Sequence, residues 1–360
     1  MDLVDFTQLP DFDDHRDVRP FEVPQLGLAG WFSRHRENHQ FALGGTRLYP
    51  YTTTEEAVTD VLRLSRGMGR KSAIADLPLD GSKIVLIGEL SVKSREYLLA
   101  YGRILRDQWL NSNITGEDIG ITMANADVIA ETANATLADG TESITIAGLS
   151  AKGGDTSPVT ARGVLYGIRA CLQYVYGSAS LEGRTIAIEG VGKVGAALAE
   201  LVILEGARVI AADTNPEAIR SLQERFGKVI RPAEAPGAIY HADCDIFAPC
   251  AKGASLNRKT IPNLRCRIIA GSANNQLDVP HDGDDLFRRG IVYAPDYVIN
   301  AGGLISVYDE LHPDGYSRQR VLDAVGQIGK RIEDILVASA NVGIAPHRIA
   351  DQQADAIIGN

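Results

Sequence analysis

Thr185-Ile186-Ala187-Ile188-Glu189-Gly190-Val191-Gly192-Lys193-Val194-Gly195 decides the fold of this chain. A short β-branched run enters G-x-G-x-x-G and a helical pattern leaves it, with Lys193 and Val194 inside the motif. In such a motif the first glycine permits a tight turn, the second lets the backbone approach a pyrophosphate, and the third lets helix and strand pack closely. The helix start offers unpaired N–H groups and a positive dipole end to phosphates. A second apolar run, Arg208 to Ala212, ends in Asp213, close to the ~20-residue spacing of a ribose-binding acid. Strand, helix and acid stand in register, which predicts a dinucleotide site. An aspartate accepts ribose hydroxyls and repels a 2′-phosphate, so NAD is expected over NADP.

Outward from this motif the strand–helix rhythm continues over 185–189, 194–205, 208–212, 216–226, 244–248, 267–270 and 291–294. That alternation predicts an α/β doubly wound sheet, whose ligands bind at the carboxyl ends of the strands. Ala248, Pro249, Cys250, Ala273, Asn275 and Asn300 all follow such strands. Ser157-Pro158-Val159-Thr160 opens a helix with Val164, Ile168, Leu172 and Val175 on its apolar face. The chain has 360 residues, more than one core comfortably serves, so two domains are expected. We expect an N-terminal α/β substrate-binding and oligomerisation domain over 1–150 plus about 330–360, and a Rossmann domain over 151–329. The last ~35 residues read as helix and are expected to return to the first domain.

Residues 1–24, with Pro10, Pro20 and Pro24 among acids, read as a loosely structured lead-in. Thr53-x-x-Glu56 is a capping box, and Ala57, Val58, Val61 and Leu62 predict an amphipathic helix over roughly 54–68. Lys83 to Gly88 reads as a buried strand, 93–110 as helix, and Asn134–Asp155 as a hinge or edge loop.

Composition excludes several classes. Net charge is −10 with no basic block, so nucleic acid is not an expected partner. No run approaches the ~20 apolar residues of a membrane span, and the acidic start lacks a signal core. Cys171, Cys244, Cys250 and Cys266 lack C-x-x-C spacing and read as reduced thiols of a cytoplasmic protein. The seven histidines show no metal-ligand spacing, so no metal is expected.

Lys71 and Lys83 sit in apolar, glycine-containing surroundings. Partial desolvation favours the neutral amine that a lysine general base needs; the alternative is a pair of snorkelling surface lysines. Asp118 is a candidate acid/base partner or a plain turn residue.

Together these residues resemble the amino acid dehydrogenases related to glutamate dehydrogenase, above all the leucine, phenylalanine and valine branch. The similarity runs from about Leu43 to the C-terminus. It rests on Gly44-Gly45-Thr46-Arg47, both lysines, Glu117-Asp118, Ser157–Thr160, the glycine motif, Asp245–Ala251, Ala270–Gln276 and Tyr293–Gly303. It implies reversible conversion of an L-amino acid, NAD and water to a 2-oxo acid, ammonium and NADH by a homo-oligomer. It also implies residue roles. Lys71 would hold the α-carboxylate with the Gly44-Gly45 backbone. Lys83 would be the general base and Asp118 the proton shuttle. Thr160 and Asn275 would orient the nicotinamide, and Asn300 would contact its ribose or the substrate. Leu43, Leu48, Leu304 and Val307 would line an apolar side-chain pocket, and the interdomain cleft would close to expel water before transfer.

The sequence departs from that branch near the lysines. Asp80-Gly81-Ser82-Lys83 stands where G-G-G-K is usual. Arg70 replaces a tyrosine, and Asp76 and Pro78 replace small or amide residues. A carboxylate near Lys83 would favour its ammonium form, or would recognise a polar substrate. In a third reading Asp76 and Asp80 face solvent and pair with Arg70. Two alternatives follow for the whole chain: a dehydrogenase for a specialised polar or biosynthetic amino acid, or a non-catalytic NAD-binding sensor.

Overall fold

The computed structural model describes residues 4–136, 142–143, 145–147, 154–251 and 253–359. The chain packs as two units. One comprises Met1–Asp155, Val307–Tyr316 and Ala354–Asn360, the other Thr156–Ser306 and Ser317–Gln353.

The first unit is built on a mixed sheet of β1 (Asp17–Val23), β2 (Leu28–Arg34), β3 (Ala42–Leu43), β4 (Thr46–Tyr49), β5 (Asp80–Ile87) and β6 (Asn113–Ile114). The order is β1-β2-β5-β3-β6, with β4 also pairing β5. β1–β2 and β2–β5 are antiparallel; β3 and β4 run parallel to β5. The lead-in read as loose is therefore a strand from Asp17 onward, paired with β2 from Asp17↔Arg34 to Val23↔Leu28. Pro20 is tolerated because β1 is an edge, where a missing N–H costs no ladder bond.

The pleat sorts β5 into two faces. Ile84 and Leu86 join a core with Leu28, Phe32 and residues of α2 (Arg95–Trp109) and α3 (Met123–Ala133). Val85 joins Trp31 and Ala57, Val58, Val61 and Leu62 of α1 (Thr54–Ile74) on the other face. Thr53 caps α1 by accepting the Glu56 N–H at 3.1 Å, while Glu56 turns back to the Thr52 N–H at 2.9 Å. The helix runs a turn and a half past its expected end. Gly67 and Gly69, which lower helix propensity, do not stop it, because Gly69 meets Gly81 of β5. A side chain on Gly81 would overlap the backbone of Gly69 and Ser65. Much of the polar stretch Asn134–Asp155 lies outside the described residues; within it β7 (Ala135–Thr136) pairs antiparallel with β8 (Glu142–Ser143).

The second unit follows the glycine motif. α4 (Ser157–Tyr176) precedes β9 (Thr185–Glu189), α5 (Lys193–Leu204), β10 (Arg208–Ala212), α6 (Pro216–Phe226), β11 (Ile230–Pro232), β12 (Ile246–Pro249) and β13 (Ile268–Ile269). α7 (Pro280–Arg288), β14 (Val292–Tyr293) and α8 (Asp296–Ile299) follow. The strands are parallel in the order β11-β10-β9-β12-β13-β14, the doubly wound order of dinucleotide-binding folds. α9 (Gly302–Asp309) carries the chain back to the first unit at Val307. The helical tail is two helices, α10 (Arg318–Val342) and α11 (Pro346–Gly359), parted by Gly343 at φ +70°. Of about 330–360, only the stretch from Ala354 packs with the first unit. α10 stays in the second because its apolar face lies on α4, where Ile328 meets Gly163.

The two glycines at the α1–β5 contact predict opposite outcomes for similar changes. Gly81→Ala should cost about 1–3 kcal/mol by overpacking. Gly67→Ala, helical and facing open space, should stabilise by about 0.5–1 kcal/mol. Urea unfolding midpoints moving in opposite directions would bear this out; equal shifts would not.

Candidate active site

Lys83 lies on the α1 face of β5, in alternation with Gly81 and Val85, and is 5% exposed. A buried ammonium needs a counter-charge, and its Nζ donates to Asp118 Oδ2. Asp118 sits on the loop after β6, fixed by the Ile121 N–H donating to its carbonyl at 2.9 Å. Burial pushes the Asp118 carboxyl up, but Lys83 and then Arg47 outweigh it and hold the carboxyl below its ordinary value. Gly45 makes room for the pair. A Cβ there would stand 3.2 Å from Lys83 Nζ and 3.0 Å from Asp118 Cβ. Gly44 is equally constrained, because a side chain would overlap the Ser82 carbonyl. The structure thus brings Gly44, Gly45, Lys83 and Asp118 together. Lys71 lies half-buried in the last turn of α1.

In the second unit the three motif glycines divide their work. Gly190 has φ +88°, and a Cβ would come 2.6 Å from that of Ala251. A side chain on Gly195 would overlap the Gly190 carbonyl. Gly192, the N-cap of α5, has nothing within 4 Å of a Cβ position. The protein's own packing needs two of these glycines; the space at the third is open, at a helix N-terminus of unpaired N–H groups. Asp213 reaches the same turn, accepting the Val191 N–H at 2.8 Å and the Asn215 N–H at 2.8 Å. These residues fit a dinucleotide's pyrophosphate and ribose.

The neighbouring strand ends converge. A side chain on Gly271 would overlap Pro249, and Cys250 lies 3.3 Å from a Cβ on Gly195. Asn275 takes a left-handed backbone at φ +51°. Asn300 is buried, donating from Nδ2 to the Ser272 carbonyl at 3.1 Å and Asn274 Oδ1 at 2.8 Å, while its Oδ1 has no partner. Thr160, in the first turn of α4, lies 3.1 Å by its Oγ1 from a Cβ on Gly303, and its Oγ1 donates to the Thr156 carbonyl at 3.0 Å.

Relatives agree with this architecture. The description Glutamate/Leucine/Phenylalanine/Valine dehydrogenase matches residues 153–341, and Glu/Leu/Phe/Val dehydrogenase, dimerisation domain, matches 18–135. The chain belongs to the glutamate/leucine/phenylalanine/valine dehydrogenase family. It is 42% identical to a leucine dehydrogenase of Bacillus cereus, over 95% of this chain and 90% of that one. A valine dehydrogenase of Streptomyces albus is 42% identical over 91% of this chain and 88% of its own. The solved L-tryptophan dehydrogenase of Nostoc punctiforme superposes with a TM-score of 0.80 at 33% identity, covering 96% of each chain. The chain is an amino acid dehydrogenase, an oxidoreductase of a nicotinamide-dinucleotide-dependent family. Neither the sensor reading nor the specialised-substrate reading is favoured by these relatives.

Where this dehydrogenase departs from its branch, the structure corrects the sequence reading. Asp80 neither approaches Lys83 nor faces solvent. It stands three residues away on a strand, hence on the opposite face. There it is 4% exposed, paired with Arg34 at 2.5 Å and accepting the N–H groups of Asn38 and His39 at 3.2 Å each. Arg70 pairs with Asp355 instead, at 2.7 Å. Asp76 takes a left-handed turn at φ +59° after α1. Leu48 is also corrected as a pocket wall. It is fully buried, packed with Tyr101, Ile84 and Leu86 in the α2-side core. Leu43 is buried on β3, and Leu304 and Val307 lie on α9.

Sequence reasoning missed Arg47, which bonds to Asp118 and Asp60. Its signal was its place in Gly44-Gly45-Thr46-Arg47, a motif read without a role for the arginine. Among the described residues no cluster of His, Cys, Asp or Glu could hold a metal, and no helix is long and apolar enough to cross a membrane.

The glycine division gives a test. Gly192→Ala should leave thermal stability unchanged and weaken dinucleotide binding about tenfold or more, because the added methyl fills only ligand space. Gly195→Ala should lower stability itself. Calorimetric titration with NADH beside thermal melts separates the two; unaltered affinity in Gly192→Ala would remove that glycine from the site.

Proposed function

We propose that the chain catalyses the reversible, NAD-dependent oxidative deamination of an L-amino acid with an apolar side chain. Amino acid, NAD and water give 2-oxo acid, ammonium, NADH and a proton. The observation that carries this reading is the Lys83–Asp118 pair: a buried amine and a carboxylate in direct contact beside two obligate glycines.

In this reading Lys71 and the Gly44-Gly45 backbone hold the substrate α-carboxylate. Asp118 takes a proton from the substrate ammonium, leaving a neutral amine ready to push electrons toward Cα. NAD, when bound, accepts the hydride from Cα. Lys83, as the neutral amine, then removes a proton from the water that attacks the iminium carbon. Asp118 returns its proton to the nitrogen of the resulting carbinolamine. As the C–N bond breaks, the departing ammonia takes the hydroxyl proton, giving the 2-oxo acid and ammonium, and Lys83 passes its proton to solvent. A lysine and a carboxylate in contact suit this sequence because one proton can pass between them as charge moves from nitrogen to oxygen.

Thr160, Asn275 and Asn300 orient the nicotinamide end. Gly190, Gly192, Lys193, Val194 and Gly195 receive the pyrophosphate, with Ala248, Pro249, Cys250 and Ala273 along the strand ends. Asp213 selects NAD by accepting ribose hydroxyls and repelling a 2′-phosphate. Leu43, Leu304 and Val307 are assigned to the substrate side chain and offer no charge partner for a distal carboxylate, which disfavours glutamate. A homo-oligomer in the cytoplasm accords with the dimerisation-domain match and with four cysteines free of disulfides.

NADH absorbance with leucine, valine, phenylalanine, tryptophan, glutamate, lysine and ornithine tests the reading. Turnover should appear on apolar members and be lost by at least 10²-fold in Lys83→Ala, with NADH affinity retained. Undiminished turnover in that variant would remove Lys83 as the base. For the cofactor, Asp213→Ala should raise the NADP/NAD ratio of kcat/KM at least tenfold; a constant ratio would take Asp213 away from the ribose.

A further inference from the structure

Arg47 projects from β4 beside Val85 of β5, two residues after the glycine that makes room for the Lys83 amine. Its Nε donates to Asp118 Oδ2 at 3.3 Å, the same oxygen that Lys83 holds. Its Nη1 donates to Asp60 Oδ2 at 2.8 Å. Asp60, on α1, is itself fixed by the Tyr51 hydroxyl at 2.6 Å and Arg63 at 2.9 Å. A continuous chain results: Lys83, Asp118, Arg47, Asp60, Tyr51. The Arg47 side chain is 15% exposed and that of Asp60 11%, so water screens this chain poorly.

An isolated lysine–carboxylate pair traps the proton on lysine, which suits a salt bridge and not a base. A second cation on the same carboxylate oxygen works against that trap. It takes up part of the negative charge and adds a positive charge near the amine. We propose that Arg47 is a positioning residue of the dehydrogenase: it shares Asp118 Oδ2 with Lys83, fixes that carboxylate in place, and keeps the lysine amine available as a base. This rests on Lys83 and Asp118 acting as proposed above.

Other charged and titratable groups stand on the elements packed against the pair. Just past β2, two residues beyond the Ser33 that pairs with Lys83, His35 is buried and bonded to Asp13 at 2.9 Å. The loop after β6 carries Glu117, whose carbonyl lies by Gly45. α1 carries Asp60 and Arg63, and Lys71 in its last turn. On the opposite face of β5, Asp80 is matched by Arg34. Arg47 is thus the cation that shares the oxygen Lys83 holds, and a guanidinium keeps its charge throughout the working range.

The test is the pH dependence of kcat/KM on leucine for the wild type, Arg47→Met, Arg47→Gln and Arg47→Lys. Removing the guanidinium takes away the positive charge that shares the carboxylate oxygen with the amine. The rising limb in Arg47→Met should therefore move up by about one pH unit, about a tenfold loss at the wild-type midpoint with recovery at high pH. Arg47→Gln keeps hydrogen-bonding capacity but not charge; it should move the limb likewise, and it serves if the methionine variant does not fold. Arg47→Lys should restore the limb to within a few tenths of a pH unit. A limb that stays in place while kcat falls at every pH would mean Arg47 only braces the fold, and would overturn the inference. Lys83→Ala with its activity intact would instead overturn the underlying assignment of the base, whatever the Arg47 variants do.

Discussion

A buried ammonium must be paired, and much of the first unit is arranged around that requirement at Lys83. The side chain emerges from a strand whose other residues are sealed on both faces. The counter-charge therefore has to come from a neighbouring loop, and Asp118 supplies it. Bringing that loop close requires Gly44 and Gly45 to be bare. Seating α1 on β5 beside the lysine requires Gly81 to be bare as well. Arg47 and Asp60 then extend the charge network outward from the sheet to the helix. Removing one partner from such a network strands the others without water, which is far costlier than never having buried them.

The nucleotide unit obeys a different constraint, one of space. Its strands are short and parallel and are buried through most of their length, so only their carboxyl ends are open to a ligand. Close backbone contacts at Gly190, Gly195 and Gly271 hold those ends together, and each leaves no room for a side chain. Gly192 stands apart, since the chain itself does not fill the space beside it. The Asn300 carboxamide is held by its nitrogen while its oxygen is left without a partner, an arrangement that spends donors on the protein and keeps an acceptor spare.

Much of this was legible in the residues. The glycine motif, the acid after the second strand and the apolar runs read directly as a doubly wound sheet, because turn chemistry and side-chain period are local properties. Lys83 and Asp118 stood out for a similar reason, being charges in apolar or glycine-containing segments. Other features were not legible. The lead-in strand was hidden because an edge strand with a proline and several acids has no clean alternation. The end of α1 was misjudged because Gly67 and Gly69 argue for a break until Gly81, from another element, is seen packed against the second of them. Leu48 looked like a pocket wall only while its core neighbours were unknown.

By itself the sequence determined the strand–helix order of the second unit, its glycine turn, the family and the chemical types available for catalysis. These depend on residues near one another along the chain, where spacing fixes geometry. The tertiary structure alone decided which charges meet. Asp80 is three residues from Lys83 yet serves Arg34, because adjacent positions on a strand face opposite ways. Lys83 and Arg47 are remote in sequence and share one oxygen of Asp118, because the parallel strands β4 and β5 bring them side by side. Electrostatic partnership depends on distance in space and on the exclusion of water, and neither is written into the spacing of residues along a chain.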